Sequence, residues 1–375
     1  MHEGRPARLP SQSHFMPRHP QPQAARVENL RPQLVDHFQR SKAERAGTGV
    51  GFAIVNFNTS EQTLQSIASL SANAQSPDWI LVLDNESVGS EFSKLRKGLD
   101  AVWGASELML FSSKVNLGFA GGVNFLVGEL LKIASCEFIG LLNSDAFAEP
   151  CLISELKCCL ADEGVGIAGG RIHKLDDPNK PDSLGITLFA NLMMADRLDL
   201  SEPYLGPTGA CCMVTRTFAL DVISQTGYFF DARYFCYSED ADLAMRALLL
   251  GYRPAYSNRL VALHEGHASS RRAGSDFRVF LSWRNSLWLH MKLLPASFFR
   301  RCLVPFVLSQ ALTIGRCVLS GKVRLACRVY AAVVRELPTL IEERRRLMKA
   351  WRANCKTLES VVSRNFFRRR NSACN

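Results

Sequence analysis

Four short runs of almost unbroken apolar residues constrain this chain most: VGFAIVNF (50–57), WILVLDN (79–85), ELMLFSS (107–113) and EFIGLLN (137–143). None alternates polar with apolar, so each reads as a strand buried on both faces. The stretches between them have helical spacing, as in Leu64, Ile67, Ala68 and Leu70, and again over 120–133. Buried strands alternating with helices predict a mostly parallel α/β sheet with helices on both faces. In such sheets ligands sit beyond the carboxyl ends of the strands. Three of the runs end there in polar residues: Asn56-Phe57-Asn58, Asp84-Asn85 and Asn143-Ser144-Asp145.

The pattern continues with a helix at 151–162, a strand at 165–172, and an irregular Pro/Asp-rich stretch at 173–205 that suits a loop with a short hairpin. A strand at 210–216, helices at 217–225 and 239–250, and a strand within 261–270 follow. From 275 onward the spacing is helical, in segments near 276–294, 298–319, 322–335 and 338–357. Residues 1–47 hold six of the 16 prolines. They read as a poorly ordered extension, with a short helix possible over 33–45. The expected division is an extension (1–47), an α/β domain (48–275) and a basic helical C-terminal region (276–375).

Charge is unevenly spread. Residues 291–375 carry 18 Lys+Arg against 4 Asp+Glu, while the first 290 carry 27 against 31. A basic tail can meet nucleic acid or an anionic membrane surface, or be a solvated helical face. No recognition-helix motif or basic strand with interleaved aromatics supports nucleic acid. Leu303–Leu319 is apolar but contains Pro305, Gln310 and Arg316 and is short for a span, so a helix lying on a bilayer or buried between helices is expected. The 12 Cys include no CxxC pair and sit in apolar runs. They read as small hydrophobes in a reducing compartment. With no apolar core in MHEGRPARLP, a cytoplasmic protein is expected, peripheral on the inner face of the cell membrane if the tail binds lipid.

Several residues could carry chemistry. Asp145 ends a buried strand, where a carboxylate can hold a hard cation or cap a turn. Glu239 and Asp240 open a helix behind Tyr234, Phe235 and Tyr237. They suit helix capping by the dipole, or a general base desolvated by the aromatic wall. Asp242 and Arg246 are spaced for a helical ion pair. His264 or His267 could join Asp145 on a metal. Asn116–Asn124 (NLGFAGGVN) is a glycine-rich helix start that allows close backbone approach to a phosphate or sugar. Its spacing is not that of a dinucleotide fold. Gly206–Ala210 is a turn before a strand.

Taken in order, VNFN (55–58), LDNES (83–87), NLGFAGGVN (116–124), LLNSDAFAEP (141–150), GPTGACCMVTR (206–216), FFDARYFCYSEDADLAMRALLLGYR (229–253) and ALHEGHASS (262–270) resemble family 2 inverting nucleotide-sugar glycosyltransferases, nearest the rhamnosyltransferase-like branch. The resemblance implies a GT-A (Rossmann-like) fold and a Mg2+ or Mn2+ ion on the donor diphosphate. It implies that Phe57, Asp84, Asn116, Gly118, Gly121, Gly122, Asn143 and Gly209 form the nucleotide-sugar site. It further implies that Asp145 and His264 hold the metal, and that Asp240, beside Glu239, takes the acceptor's proton. The donor would be dTDP-rhamnose or a UDP-hexose, and the acceptor a glycan or lipid-linked saccharide of a cell-surface polysaccharide. Asn143 stands where many members have an acid. A non-catalytic nucleotide-sugar or glycan-binding protein on the same fold is the second reading.

Overall fold

The computed structural model describes residues 31–38, 48–102, 104–266, 275–352 and 355–366. The first half alternates as expected: β1 (Gln33–Phe38), β2 (Gly49–Asn56), α1 (Ser60–Ser71), β3 (Trp79–Asn85), α2 (Gly89–Val102), β4 (Glu107–Ser113), α3 (Gly118–Lys132) and β5 (Cys136–Leu142). Then come β6 (Ala146–Ala148), α4 (Leu152–Leu160), β7 (Val165–Lys174), β8 (Pro181–Ser183) and the small hairpin β9 (Ile186–Leu188) and β10 (Met194–Asp196). The α/β part closes with β11 (Cys211–Thr215), α5 (Arg216–Thr226), α6 (Glu239–Leu249) and β12 (Arg253–His264). Helices α7 (Ser275–Leu293), α8 (Ala296–Arg301), α9 (Leu303–Leu319), α10 (Val323–Ala350) and α11 (Cys355–Ser360) form the C-terminal region.

The strands join in one ten-stranded sheet of order β1-β4-β3-β2-β5-β11-β7-β12-β6, with β8 on β7. Strands β4, β3, β2, β5, β7 and β12 run in one direction. The order reverses between β2 and β5, which opens a crevice at their carboxyl ends. Asn56 pairs with Asp84 across β2 and β3. Leu142, one residue before Asn143, faces Cys211 at the start of β11. His264, at the end of β12, faces Ala146 of β6. The polar tips therefore share one edge.

Strand alternation feeds two cores. Phe52, Ile54, Ile80 and Val82 pack toward Ile67 of α1, Leu95 of α2 and Leu156 of α4. Ala53, Leu81 and Leu83 pack toward Val123 and Leu126 of α3 and Phe218 of α5. A third core joins Ala244, Met245 and Leu248 of α6 to Trp283 and Leu287 of α7 and Val329 and Val333 of α10. Helix α6 thus lies between the sheet and the C-terminal helices. Every one of its residues is buried except Asp240.

Two expectations are corrected. Within the expected extension, residues 33–38 are not helical but form β1, antiparallel to β4. The strand covers the open edge of β4 and is tied down by Asp36 to Arg96 (2.6 Å) and His37 to Glu107 (2.7 Å). Backbone pairing and two side-chain ties leave little mark in hydropathy. The break expected between 335 and 338 is also absent, since α10 runs through Pro338. A proline removes one backbone donor, and the apolar stripe Val329, Val333, Leu340, Leu347 continues on both sides of it. Among the described residues no helix is long and apolar enough to cross a membrane. The described cysteines are free.

Candidate functional site

At the β2–β3 end, Asp84 is 2% exposed. Its carboxylate accepts from Asn56 Nδ2 (2.7 Å) and the Ser87 N–H (3.2 Å). Asn56 Oδ1 in turn accepts from Thr63 and Thr59. A carboxylate has about four acceptor sites, so two internal bonds leave capacity for a ligand donor. Half-buried Phe57 follows Asn56 at the strand tip. Asn116 is held close by: its Oδ1 accepts from the Gly118 N–H (2.8 Å) and Asn85 Nδ2 (3.1 Å), and its N–H donates to Glu86 (2.9 Å).

Thr59 Oγ1 can also accept from the Ser144 hydroxyl 3.0 Å away, linking this network to Asp145. His264 stands between two carboxylates, with Nε2 at 3.2 Å from Asp145 Oδ1 and Nδ1 at 2.7 Å from Asp182 Oδ2. Burial favours its neutral form, but bonds to Asp145 and Asp182 prevail and raise it to about 10. The Asn143 amide lies 3.5 Å from His264 Nε2, and its buried Oδ1 has no protein partner. No cluster of three His, Cys, Asp or Glu side chains suited to a metal occurs among the described residues. Asp145, the orphaned Asn143 carbonyl and His264 Nε2, with its proton displaced by the ion, nevertheless suit a divalent ion that completes its shell from substrate oxygens. In that arrangement Asp182 orients the imidazole from behind.

Asp240 hangs from the turn before β11. Its Oδ2 accepts from the Gly209 N–H (2.9 Å) and Thr208 Oγ1 (3.3 Å), and its Oδ1 from the Ala241 N–H (2.8 Å). Burial raises this carboxyl above the usual range, and those donors oppose the rise. Glu239 is different: it is 5% exposed, and its Oε2 has no partner. Burial, then the charge of Asp240, holds it well above the usual carboxylate range.

The two acidic centres are neighbours. Asp240 is bonded to Gly209, and the next residue, Ala210, accepts through its carbonyl from the Asn143 N–H at 2.9 Å. Asp84, Asn143, Asp145, His264, Gly209 and Asp240 thus line one edge. The glycine-rich segment behaves otherwise. A Cβ on Gly118 would lie 2.4 Å from the Phe235 carbonyl, and one on Gly122 would lie 3.0 Å from Val55. The close approach there is to the chain itself, while Gly121 is limited only by Leu117. His267 lies outside the described residues. Asp182 and Thr208 were not singled out from the sequence: Asp182 sits in the irregular 173–205 stretch, 82 residues before its partner.

No protein-family profile and no curated protein matches the chain. Among solved structures, residues 1–349 of S. aureus TarS in complex with UDP-GlcNAc match with a TM-score of 0.51 at 15% identity, over 83% of this chain and 91% of that one. This chain has a GT-A fold. At that identity the likeness speaks for the GT-A fold alone. The same TarS segment with UDP gives 0.49 at 15% identity, over 83% and 90%. The mannosyltransferase PcManGT from Pyrobaculum calidifontis, in complex with GDP-Man and Mn2+, gives 0.48 at 15% identity, over 80% and 85%.

Proposed function

We propose that this chain is an inverting glycosyltransferase, moving a hexosyl or rhamnosyl group from a nucleoside-diphosphate sugar to a glycan or lipid-linked acceptor. The observation that carries the reading is Asp240, the one residue of α6 that is only half-buried, set beside the Asp145–His264–Asp182 cluster. That S. aureus TarS, a chain of this fold, binds UDP-GlcNAc supports the donor class.

Asp84 and Phe57 receive the nucleoside, and Asn143, Asp145 and His264 face the diphosphate. Asp145 and His264 would hold a Mg2+ or Mn2+ ion, which when bound would supply positive charge to the leaving diphosphate. Asp240 accepts the acceptor hydroxyl's proton. The acceptor oxygen bonds to the anomeric carbon as the bond from that carbon to the diphosphate oxygen breaks, and one displacement inverts the centre. The donors on both oxygens of Asp240 favour its ionised form against the effect of burial. Release of nucleoside diphosphate from a panel of nucleotide sugars, with and without Mn2+ and with simple glycan acceptors, tests the reading. No release from any donor would overturn it. Asp182→Asn removes the support behind His264 and is expected to weaken Mn2+ binding about 10–100-fold. Mn2+ titration followed by electron paramagnetic resonance checks this, and unchanged affinity would exclude the role.

Contact with an anionic bilayer is the second part of the proposal, and its surface is α9. Val304 is 77% and Leu319 89% exposed, and Val307, Leu308 and Val318 are exposed beside them. Between Asp276 and Glu336 the chain has ten Lys+Arg, all but the buried Arg284 and Lys292 outside the core, and no acidic residue. An apolar helix face amid basic residues matches an anionic lipid surface, at about 1 kcal/mol per basic side chain. A second copy of the chain would oppose like charge to like. Deleting 295–375 would strip Val329, Val333 and Leu340 from the third core, so point substitutions are the cleaner test. Val304→Glu with Leu308→Glu is expected to lower affinity for phosphatidylserine vesicles at least about 10-fold. Unchanged pelleting, or loss of a dimer in its place, would contradict lipid contact.

A further inference from the structure

The segment that delivers Asp240 is strained. Phe235 has φ 67° and ψ −64°, and the Cys236 N–H donates to the Tyr234 carbonyl two residues back at 2.8 Å. This is a γ-turn of the rare positive-φ kind. Tyr237 and Ser238 also have φ of 70°, and the helix begins at Glu239 directly after them. Bulky residues avoid this region, and such strain persists only where the surroundings over-determine it.

The surroundings are two clamps. From one side, the Ala120 N–H at the glycine-rich start of α3 donates to the Phe235 carbonyl (3.1 Å), an approach that Gly118 permits. From the other side comes Asn285 of α7, fully buried. Its Nδ2 donates to the carbonyls of Tyr234 (3.0 Å), Cys236 (2.9 Å) and Tyr237 (2.7 Å). Arg284 occupies the other end of that amide, donating to Asn285 Oδ1 from Nε (2.9 Å) and Nη2 (2.7 Å), so the NH2 group is aimed at the loop. Arg284 Nη2 also reaches the Tyr234 carbonyl at 3.2 Å.

We propose that Asn285, oriented by Arg284, is a positioning residue for the reaction: it holds the 234–238 loop in its strained form and so sets the place of Asp240 in the cleft. The first helix of the C-terminal region is thereby part of the site. The glycine-rich start of α3 acts from the opposite side as the second jaw of the same clamp. This inference rests on the reading of Asp240 as the base. The donor-binding groups Phe57 and Asp84 lie on other elements, so the clamp governs turnover and leaves donor affinity alone.

The test uses the full chain with Asn285→Asp, which keeps shape but replaces the donor by an acceptor facing three carbonyls, and Asn285→Ala. Measurements are kcat and donor KM, nucleotide-sugar thermal shift, and hydrogen–deuterium exchange over 233–239. Displacement of a reacting group by about 1 Å costs on the order of 100-fold. Both variants are therefore expected to lose about that much in kcat, with donor KM and thermal shift within about twofold of the parent and faster exchange over 233–239. A folded variant with parental kcat, or one that loses donor affinity in proportion to turnover, overturns the proposal. Should both fail to fold, Arg284→Lys releases the far end of the Asn285 amide and is expected to give the same split, and parental kcat there is equally contrary. If the parent transfers no sugar at all, the functional reading fails, while unchanged exchange over 233–239 in the variants would separately refute the clamp.

Discussion

Asp240→Asn is expected to reduce kcat by about 10²–10⁴-fold, the range for loss of a general base, while the nucleotide-sugar thermal shift is kept. The amide retains one acceptor oxygen for the Gly209 or Ala241 N–H, so the fold has little cause to change. The pH dependence carries a second signature. Burial raises the Asp240 carboxyl, so the base is lost as pH falls through a value above the ordinary ~3.9 of aspartate. The acid limb of kcat against pH should therefore stand higher than an exposed carboxylate would place it. Asp240→Asn should flatten it. Turnover within about tenfold of the parent, with the limb intact, would remove Asp240 as the base.

Lys292→Met should have the largest effect on stability. Lys292 is fully buried and contacts Asp231 (2.9 Å) and Asp242 (2.5 Å). Arg246 also pairs with Asp242 (2.7 Å), and Arg233 joins Asp231 (2.6 Å) to Glu343 of α10. This network ties α6 to the C-terminal helices beneath the third core. Removing one partner leaves buried charge uncompensated, which costs about 3–5 kcal/mol. Urea unfolding measures it, and a loss under about 1 kcal/mol would mean that the network is not coupled. Its pH sign follows from Asp231. Burial pushes this carboxyl up, but Lys292 and Arg233 outweigh that and hold it far below its ordinary value. The resulting stability is present above about pH 4 and is lost as pH falls. Lys292→Met weakens that hold, so acid unfolding should move to higher pH.

The sheet was legible because its central strands are apolar on both faces and turn polar where a ligand would sit. Asn56, Asp84, Asn143 and Asp145 could be placed at one edge from that switch alone. Asp240 was legible as an acid at a helix start behind aromatic residues. Only the structure shows that the rest of α6 is enclosed. Asp182 and Asn285 left no local signal, because each acts on a residue far along the chain: His264 for one, and Tyr234 to Tyr237 for the other. The glycines of α3 signalled a close approach correctly, but spacing does not say to what. At Gly118 the neighbour is the chain's own Phe235 carbonyl. The pairing of β1 with β4 and the passage of α10 through Pro338 depend on partners that hydropathy along one segment does not contain.

In the proposed reading, the tips of β2, β3, β5 and β12 form one donor site. Isothermal titration of the full chain with dTDP-, UDP- and GDP-sugars, in Mn2+ and in excess chelator, tests it most directly. One nucleotide class is expected to bind, more tightly with Mn2+; Asp145→Ala should remove the Mn2+ dependence, while Asp84→Ala should weaken binding in both conditions. Folded protein that binds none of these nucleotide sugars with Mn2+ present would contradict it.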